Sequence, residues 1–395
     1  MPGRIVLALL VLAVAGIAMP APARSAAVAF QANAAHTGDA GDAGLRLPLR
    51  RAWRLRLPGE LSFPVAAEGR VFVVRHRPRS GSGTEVVAVS IPSGRVLWRR
   101  DLGADADSAT LAYGDGRVVV ARESYADDAS PSAVLALEAG DGHVLWEHGS
   151  GMWAGNPPVV DHGAVYVKGV PGSGVSALRL GDGALLWRTP TDSGDDGAPA
   201  VDGDSVYVVQ SGCPDVHRLR RADGAELWHP ENGCHGAGGH TPVLHQGRLY
   251  THTSAENSLV FTDVYDAAGG AIVGRMQADP TPAFRDRLGV FPVRGADPGD
   301  HVGHTLIGRD LTSNRVRWRF RGDGYLDSAP LIASGLVFVG SGSGHLYGLA
   351  YRSGRRVWRA SAHAPIPAPG AGTVGLAAAE GTLFVPALGQ LLAYR

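Results

Sequence analysis

Cysteine, methionine, lysine and long apolar runs are scarce in this chain, and each scarcity excludes something. Of 395 residues, 2 are Cys and 4 are Met, and Lys168 is the only lysine among 37 basic side chains. The arginine-for-lysine bias, with abundant Ala and Gly, points to a GC-rich bacterial genome and carries no chemistry. Basic and acidic residues balance, 37 against 37, and the pI is near 7.3, so no broad positive field exists to hold nucleic acid or an anionic membrane. The run Arg50, Arg51, Arg54 and Arg56 is local, and on a strand such residues alternate faces and are solvated. The one long apolar run, 5–19, is shorter than the roughly 20 residues a spanning helix needs, so no integral membrane segment is expected in the mature chain.

That apolar run follows Arg4 and ends in small residues at Ala21-Pro22-Ala23 or Ser25-Ala26-Ala27, the pattern of a secretory signal peptide over residues 1–27. Export to the periplasm or the extracellular medium follows as an expectation. Neither Cys213 nor Cys234 lies at the cleavage point, so the acylated N-terminus of a bacterial lipoprotein is not expected.

What the chain does have is a repeat. A turn residue stands four positions before a marker at Gly94/Trp98, Gly142/Trp146, Gly183/Trp187, Gly224/Trp228, Gly270/Gly274, Asn314/Trp318 and Gly354/Trp358. The marker recurs about every 43 residues, the period of a four-stranded propeller blade. Between markers, short Val- and Tyr-rich runs are broken by Gly and Asp, which reads as four strands, A to D, in two hairpins. A tight C–D turn needs a residue that accepts positive φ, and Gly or Asn supplies it. Six positions before the turn stand Ala88, Ala136, Ala177, Gly308 and Gly348, small residues expected where neighbouring sheets approach closely; Arg218 and Val264 break that pattern.

Strand A–B pairs are placed at 63–74, 110–121, 157–168, 198–210, 241–252, 282–293, 329–340 and 373–386, which makes eight blades. The last lacks strand D, and residues 47–57, with Trp53 but no Gly at position 49, are expected to supply it. The reading is an all-β, eight-bladed β-propeller of antiparallel blades over 47–395, closed by pairing the N-terminal strand with the C-terminal blade, after an entry segment at 28–46. Trp53, Trp98, Trp146, Trp187, Trp228, Trp318 and Trp358 are assigned to docking adjacent blades. Trp153 lies outside the register.

The stretch Leu135-Ala-Leu-Glu-Ala-Gly-Asp-Gly-His-Val-Leu-Trp146 and its relatives resemble the pyrroloquinoline-quinone-like (PQQ-like) propeller repeat over nearly the whole mature chain. The resemblance implies kinship with quinoprotein alcohol dehydrogenases and with BamB-type assembly proteins, both eight-bladed. The enzyme branch uses adjacent cysteines, a Ca²⁺ site of Glu, Asn and Asp, and a catalytic Asp. Here the two cysteines stand 21 positions apart and no corresponding motif is recognisable, so no catalytic or cofactor-binding residue is carried over and no cofactor is expected. PQQ with Ca²⁺ stays as an alternative that family membership alone supports.

In a propeller the B–C loops and D–A connections share one face, where ligands enter. The longer insertions, 75–85, 122–132, 147–156, 229–240 and 294–304, all fall there. Residues just before strand A are expected to ring the axial funnel on that side: Glu60, Asp107, Asn156, Asp196, His240 and Asp327, with Trp153 near the third. A disulfide between Cys213 and Cys234 is expected from export and the cysteine count. His235 and His240 lack a recognised metal-ligand spacing, Asp39–Asp42 and Asp105–Asp107 lack the EF-hand pattern, and no Ser/His/Asp set assembles from spacing. No metal site is expected.

Three functions remain. The first is a monomeric interaction scaffold binding a cell-envelope or secreted protein. The second is a quinoprotein-type oxidoreductase or other small-molecule enzyme using the funnel. The third is carbohydrate or cell-wall binding through Trp153 and loop aromatics.

Overall fold

The computed structural model describes residues 25–77, 83–103, 106–124, 132–149, 156–169, 174–191, 197–209, 216–230, 241–254, 260–276, 281–293, 305–324, 326, 328–366 and 375–395. They form eight antiparallel sheets arranged as propeller blades. Blade 1 holds Glu60–Leu61 and Val65–Ala67 as a broken inner strand, then Arg70–His76, Thr84–Ser90 and Val96–Asp101. Blade 2 runs from Ser108–Gly114 to Val144–Gly149, blade 3 from Val159–Asp161 to Leu185–Thr189, and blade 4 from Ala200–Asp202 to Glu226–Trp228. Blade 5 runs from Val243–His245 to Ile272–Met276, blade 6 from Ala283–Arg285 to Val316–Arg321, and blade 7 from Leu331–Ala333 to Arg356–Ser361. No helix among the described residues is long and apolar enough to cross a membrane.

Blade 8 confirms the split-blade expectation. Ala377–Ala379, Thr382–Ala387 and Gln390–Tyr394 form its inner three strands, and Arg51–Arg56 pairs antiparallel with Gln390–Tyr394 as the outermost. The two ends of the chain therefore share one sheet, which closes the ring.

The hairpins follow from local backbone chemistry. At most A–B turns both central residues have positive φ, as at Glu68/Gly69, Asp115/Gly116, His162/Gly163 and Ser334/Gly335. These are type I′ turns, whose twist matches that of the strands they join. The inner strands bury Val, Ala, Leu and Phe on both faces, and apolar clusters fill the space between blades.

The tryptophans show why the marker spacing exists. Each indole N–H crosses to the next blade: Trp98 donates to the Ala139 carbonyl at 3.0 Å, Trp146 to Leu180 at 2.8 Å, Trp187 to Arg221 at 2.9 Å and Trp318 to Tyr351 at 3.0 Å. Trp358 donates to Leu49 at 2.9 Å, and Trp53 to Ile91 at 2.9 Å, so the contact continues across the point where the chain's ends meet. The ring lies flat on the C–D turn of that next blade. A Cβ added at Gly142 would stand 2.5 Å from Trp98, and one at Gly183 2.5 Å from Trp146. The turn glycine is thus required twice, by its positive φ and by the indole of the preceding blade.

The small residues on strand C have a second cause besides the one expected. Ala88, Ala136 and Ala177 are buried in clusters that include residues of the next blade, and they also stand directly across from the tryptophan of their own blade: Ala88 pairs with Trp98, Ala136 with Trp146, Ala177 with Trp187 and Gly308 with Trp318. A Cβ at Gly308 would lie 2.1 Å from the Trp318 ring.

The entry segment is part of the ring. Strand A is the inner edge of every blade, and its N–H groups would otherwise face the axis without partners. Residues 27–43 supply carbonyls to seven blades: Ala27 to Ala66, Val28 to Tyr113, Ala34 to Val201, Ala35 to Leu244, Thr37 to Phe284, Gly38 to Ile332 and Ala43 to Gly381. Phe30, Gln31, Ala32 and His36 are buried along this path, and the Gln31 amide donates to Pro282 O at 2.9 Å. Asp39 accepts two bonds from Arg285, which also donates to Gly41 O at 2.9 Å. The segment runs along strand A of these blades, from the strand entries at Phe63, Pro199 and Pro282 to the A–B turns at Ser334 and Gly381.

Candidate interaction face

The end opposite the A–B turns carries the B–C loops and D–A connections, and its described sector runs from blade 7 through blade 8 to blade 1. Two polar clusters dominate it. The first is built on Asp323, in the connection between blades 6 and 7. Its carboxylate accepts from Tyr347 Oη, from Ser343 Oγ at 3.2 Å and from Ser341 Oγ at 3.4 Å, and it pairs with His345. Arg359 lies 3.6 Å away and stacks over the Tyr347 ring at 5.8 Å.

Desolvation pushes the Asp323 pKa up, but the bonds from Tyr347 and Ser343 and the nearby His345 outweigh it, so the net direction is down. Burial, followed by the Asp323 carboxylate, pushes the Tyr347 hydroxyl up to about 12. A Ser, a His and an Asp meet here, yet not as a catalytic relay. Ser343 Oγ lies 3.1 Å from His345 Nδ1, the same nitrogen that faces Asp323. A relay needs the serine and the carboxylate on opposite ring nitrogens. The cluster instead braces the B–C loop of blade 7 against the preceding connection.

The second cluster lies at the rim of blade 1. Glu85, with its side chain 5% exposed, faces Arg75 at 3.0 Å, Arg77 at 3.2 Å and Arg99. Arg77 also reaches Asp101 at 2.9 Å. Desolvation lowers the Arg75 pKa, whereas bonds to Glu85 and Asp101 raise that of Arg77. Adjacent strands B, C and D each contribute a charge to this rim, because residues at the same height on neighbouring strands project together.

The residues expected around the funnel divide in two. Glu60 is half-buried and pairs across strands with His76, Asp107 is exposed with its backbone N–H on Glu123 O, and Asn156 is buried with its amide donating to Lys168 O at 3.3 Å. Trp153, Asp196, His240 and Asp327, and both Cys213 and Cys234, lie outside the described residues. Lys168, the sole lysine, is buried at the end of strand B of blade 3 and donates to Val209 O of blade 4 at 2.5 Å. Glu85, Asp323 and Tyr347 carry no signal in the sequence, since nothing in their spacing distinguishes them from other strand-end polar residues.

The family model described as outer membrane protein assembly factor BamB matches residues 50–229, 171–273 and 262–395, together nearly all of the ring. The chain belongs to this family. Among solved structures, BamB from Moraxella catarrhalis is similar at 17% identity and a TM-score of 0.64, covering 88% of this chain and 99% of that one. A quinohemoprotein alcohol dehydrogenase from Comamonas testosteroni superimposes with a TM-score of 0.70 at 13% identity, over 94% of this chain and 80% of that one. A europium-containing methanol dehydrogenase gives 0.69 at 15%, over 91% and 89%. At such identities these likenesses speak for the fold alone. No curated protein matches the chain in sequence.

Proposed function

We propose that this BamB-family propeller is an exported scaffold of the cell envelope that binds a protein partner through the face carrying the B–C loops and D–A connections. One observation carries the reading: the entry segment bonds to seven blades along strand A, so the inner strand edges are taken up by the chain's own backbone and recognition falls to the loop-bearing face. In its described sector that face holds charged side chains fixed by ion pairing rather than set for proton transfer. Rigid presentation of charge lowers the ordering cost of association and steers the approach of a complementary partner.

Export is part of the proposal. Of the two cleavage points in the sequence, the one after Ala23 leaves Ser25 and Ala27 in the mature chain, where Ser25 Oγ accepts from Glu380 N at 2.9 Å and Ala27 pairs with Ala66. Both contacts fasten the entry segment to blades 8 and 1.

The dehydrogenase-like neighbours raise a quinone alternative, and several polar groups near the described strand A entries serve the fold instead. Ser62 Oγ accepts from Val74 N, Thr241 Oγ1 from Ala198 N and Ser328 Oγ from Gly340 N, while Phe30 packs on Phe63 with ring centroids 5.3 Å apart. A quinone with its Ca²⁺ would need oxygens converging on the ion, and these three hydroxyls are engaged in holding backbone. The deciding experiment is affinity capture from envelope extracts with wild-type protein and with Asp101→Arg/Arg359→Glu, run beside PQQ and Ca²⁺ titration. Partner recovery lost in the variant, with no saturable PQQ binding, supports the scaffold; saturable PQQ binding with dye reduction overturns it.

A further inference from the structure

We propose that blade 4 carries a binding site for a divalent transition-metal cation of the Zn²⁺ class, formed by His217, Glu226 and His229. The site arises from strand register. Strand C, Val216–Arg220, pairs with strand D, Glu226–Trp228, through Arg218 opposite Trp228 and Leu219 opposite Glu226, with a bulge between the two pairs. Continuing that register sets His217 against His229, and their rings stack with centroids 4.1 Å apart at 26°. The bulge re-aims strand D, as bulges do, and Glu226 Oε2 reaches His217 Nδ1 at 2.7 Å. The ligating atoms of the three residues all lie within 4.8 Å of one another.

The donor set is two imidazoles and one carboxylate, the combination that holds Zn²⁺ where a fourth position is left to water. Burial is asymmetric in the way such a site needs. The His217 side chain is 7% exposed and that of Glu226 46%, so the protein closes one side and solvent reaches the other. A cation taken up here would be shared by one nitrogen of each ring and the carboxylate, the two rings tilting out of their stack to converge on it. The bound ion would staple the outermost strand of blade 4 to its neighbour. His229 opens the connection 229–240, so the site lies on the side of the proposed interaction face, though its existence does not rest on that reading.

The test is calorimetric titration of the EDTA-treated full-length mature protein with Zn²⁺ alone, comparing wild type, Glu226→Gln, His229→Asn and the control His143→Asn. His143 faces Asp141 at 2.7 Å in the C–D turn of blade 2 and offers a comparable exposed pair away from the site. Loss of an outer-sphere partner already costs roughly 10–100-fold in metal affinity, so loss of a ligand should cost at least about tenfold. Expected are about one Zn²⁺ bound by wild type and by His143→Asn, and weakening by that factor in Glu226→Gln and His229→Asn. Thermal melts of the metal-free proteins identify any variant that fails to fold, and the exposed Glu226→Gln change decides if His229→Asn does. No Zn²⁺ binding by wild type, or undiminished binding by folded Glu226→Gln, overturns the assignment.

Discussion

Val264 and Gly274 face each other across strands C and D of blade 5, and a Cβ added to Gly274 would stand 3.8 Å from the Val264 Cβ. Every other blade has Trp at the Gly274 position, and blade 6, whose C–D turn would receive that indole, is the one that turns on Asn314 instead of Gly. The larger strand C residue and the non-glycine turn are thus compensations for one missing ring. Gly274→Trp alone should overpack the blade and cost about 1–3 kcal/mol. Combined with Val264→Ala and Asn314→Gly the loss should be largely recovered, read as non-additive shifts in urea midpoint; simple additivity would show that the three positions are not coupled.

Gly142 lies under the Trp98 indole with φ +76°. Gly142→Ala should therefore destabilise by about 1–3 kcal/mol from backbone strain alone, with the 2.5 Å approach to Trp98 adding to it. Gly116→Ala is the matched control, because its φ is +75° and nothing stands within 4 Å of an added Cβ. Equal losses at the two sites would remove the steric part of the argument.

His36 is fully buried in the entry segment, with Nδ1 2.8 Å from Phe30 O and Nε2 3.0 Å from Pro199 O. Desolvation lowers its pKa, and the two carbonyls oppose that without reversing it. Below the ordinary value of 6.5 the unfolded chain then binds more protons than the folded one, so this group's contribution to stability is present above 6.5 and is lost as pH falls through the folded value. Chemical denaturation from pH 8 down to about pH 5 should show a falling midpoint in wild type and a flatter profile in His36→Gln, with buffer effects common to both. A steeper profile in the variant contradicts this sign.

Glu85 holds three guanidiniums at the rim of blade 1. Glu85→Gln keeps the shape but leaves those charges facing one another, at a cost of roughly 1–3 kcal/mol, limited by the partial exposure of the arginines. The loss should shrink as NaCl is raised, because screening weakens like-charge repulsion. A salt-independent loss would mean that packing, not charge, is what Glu85 supplies.

The number of blades and the shared eighth blade are legible in the sequence because the turn-to-Trp spacing is imposed twice, by φ and by ring contact, and so tolerates little change. The second reason for Ala88, Ala136 and their equivalents was not, since spacing along one strand does not reveal what stands across from it. The role of residues 27–43 is hidden for a different reason: backbone carbonyls make its bonds to the blades, and a backbone acceptor leaves no mark on residue identity. The Asp323 cluster draws on a connection, a loop and two strands between 323 and 359, so no fixed offset announces it. Glu60, Asp107 and Asn156 lie at strand A entries as placed, yet the bonds Asn156 makes, to the backbone of strand B, concern the fold rather than a ligand.

The most direct test of the proposed interaction face is photo-cross-linking in living cells, with the reactive residue placed at Arg359 or at Arg77, which follows strand B of blade 1, and, as a control, at Arg95 or Asp182 in C–D turns. A discrete adduct with an envelope protein from the first pair and none from the second is the predicted result. Adducts from the C–D turns alone, or from all four positions alike, would contradict it.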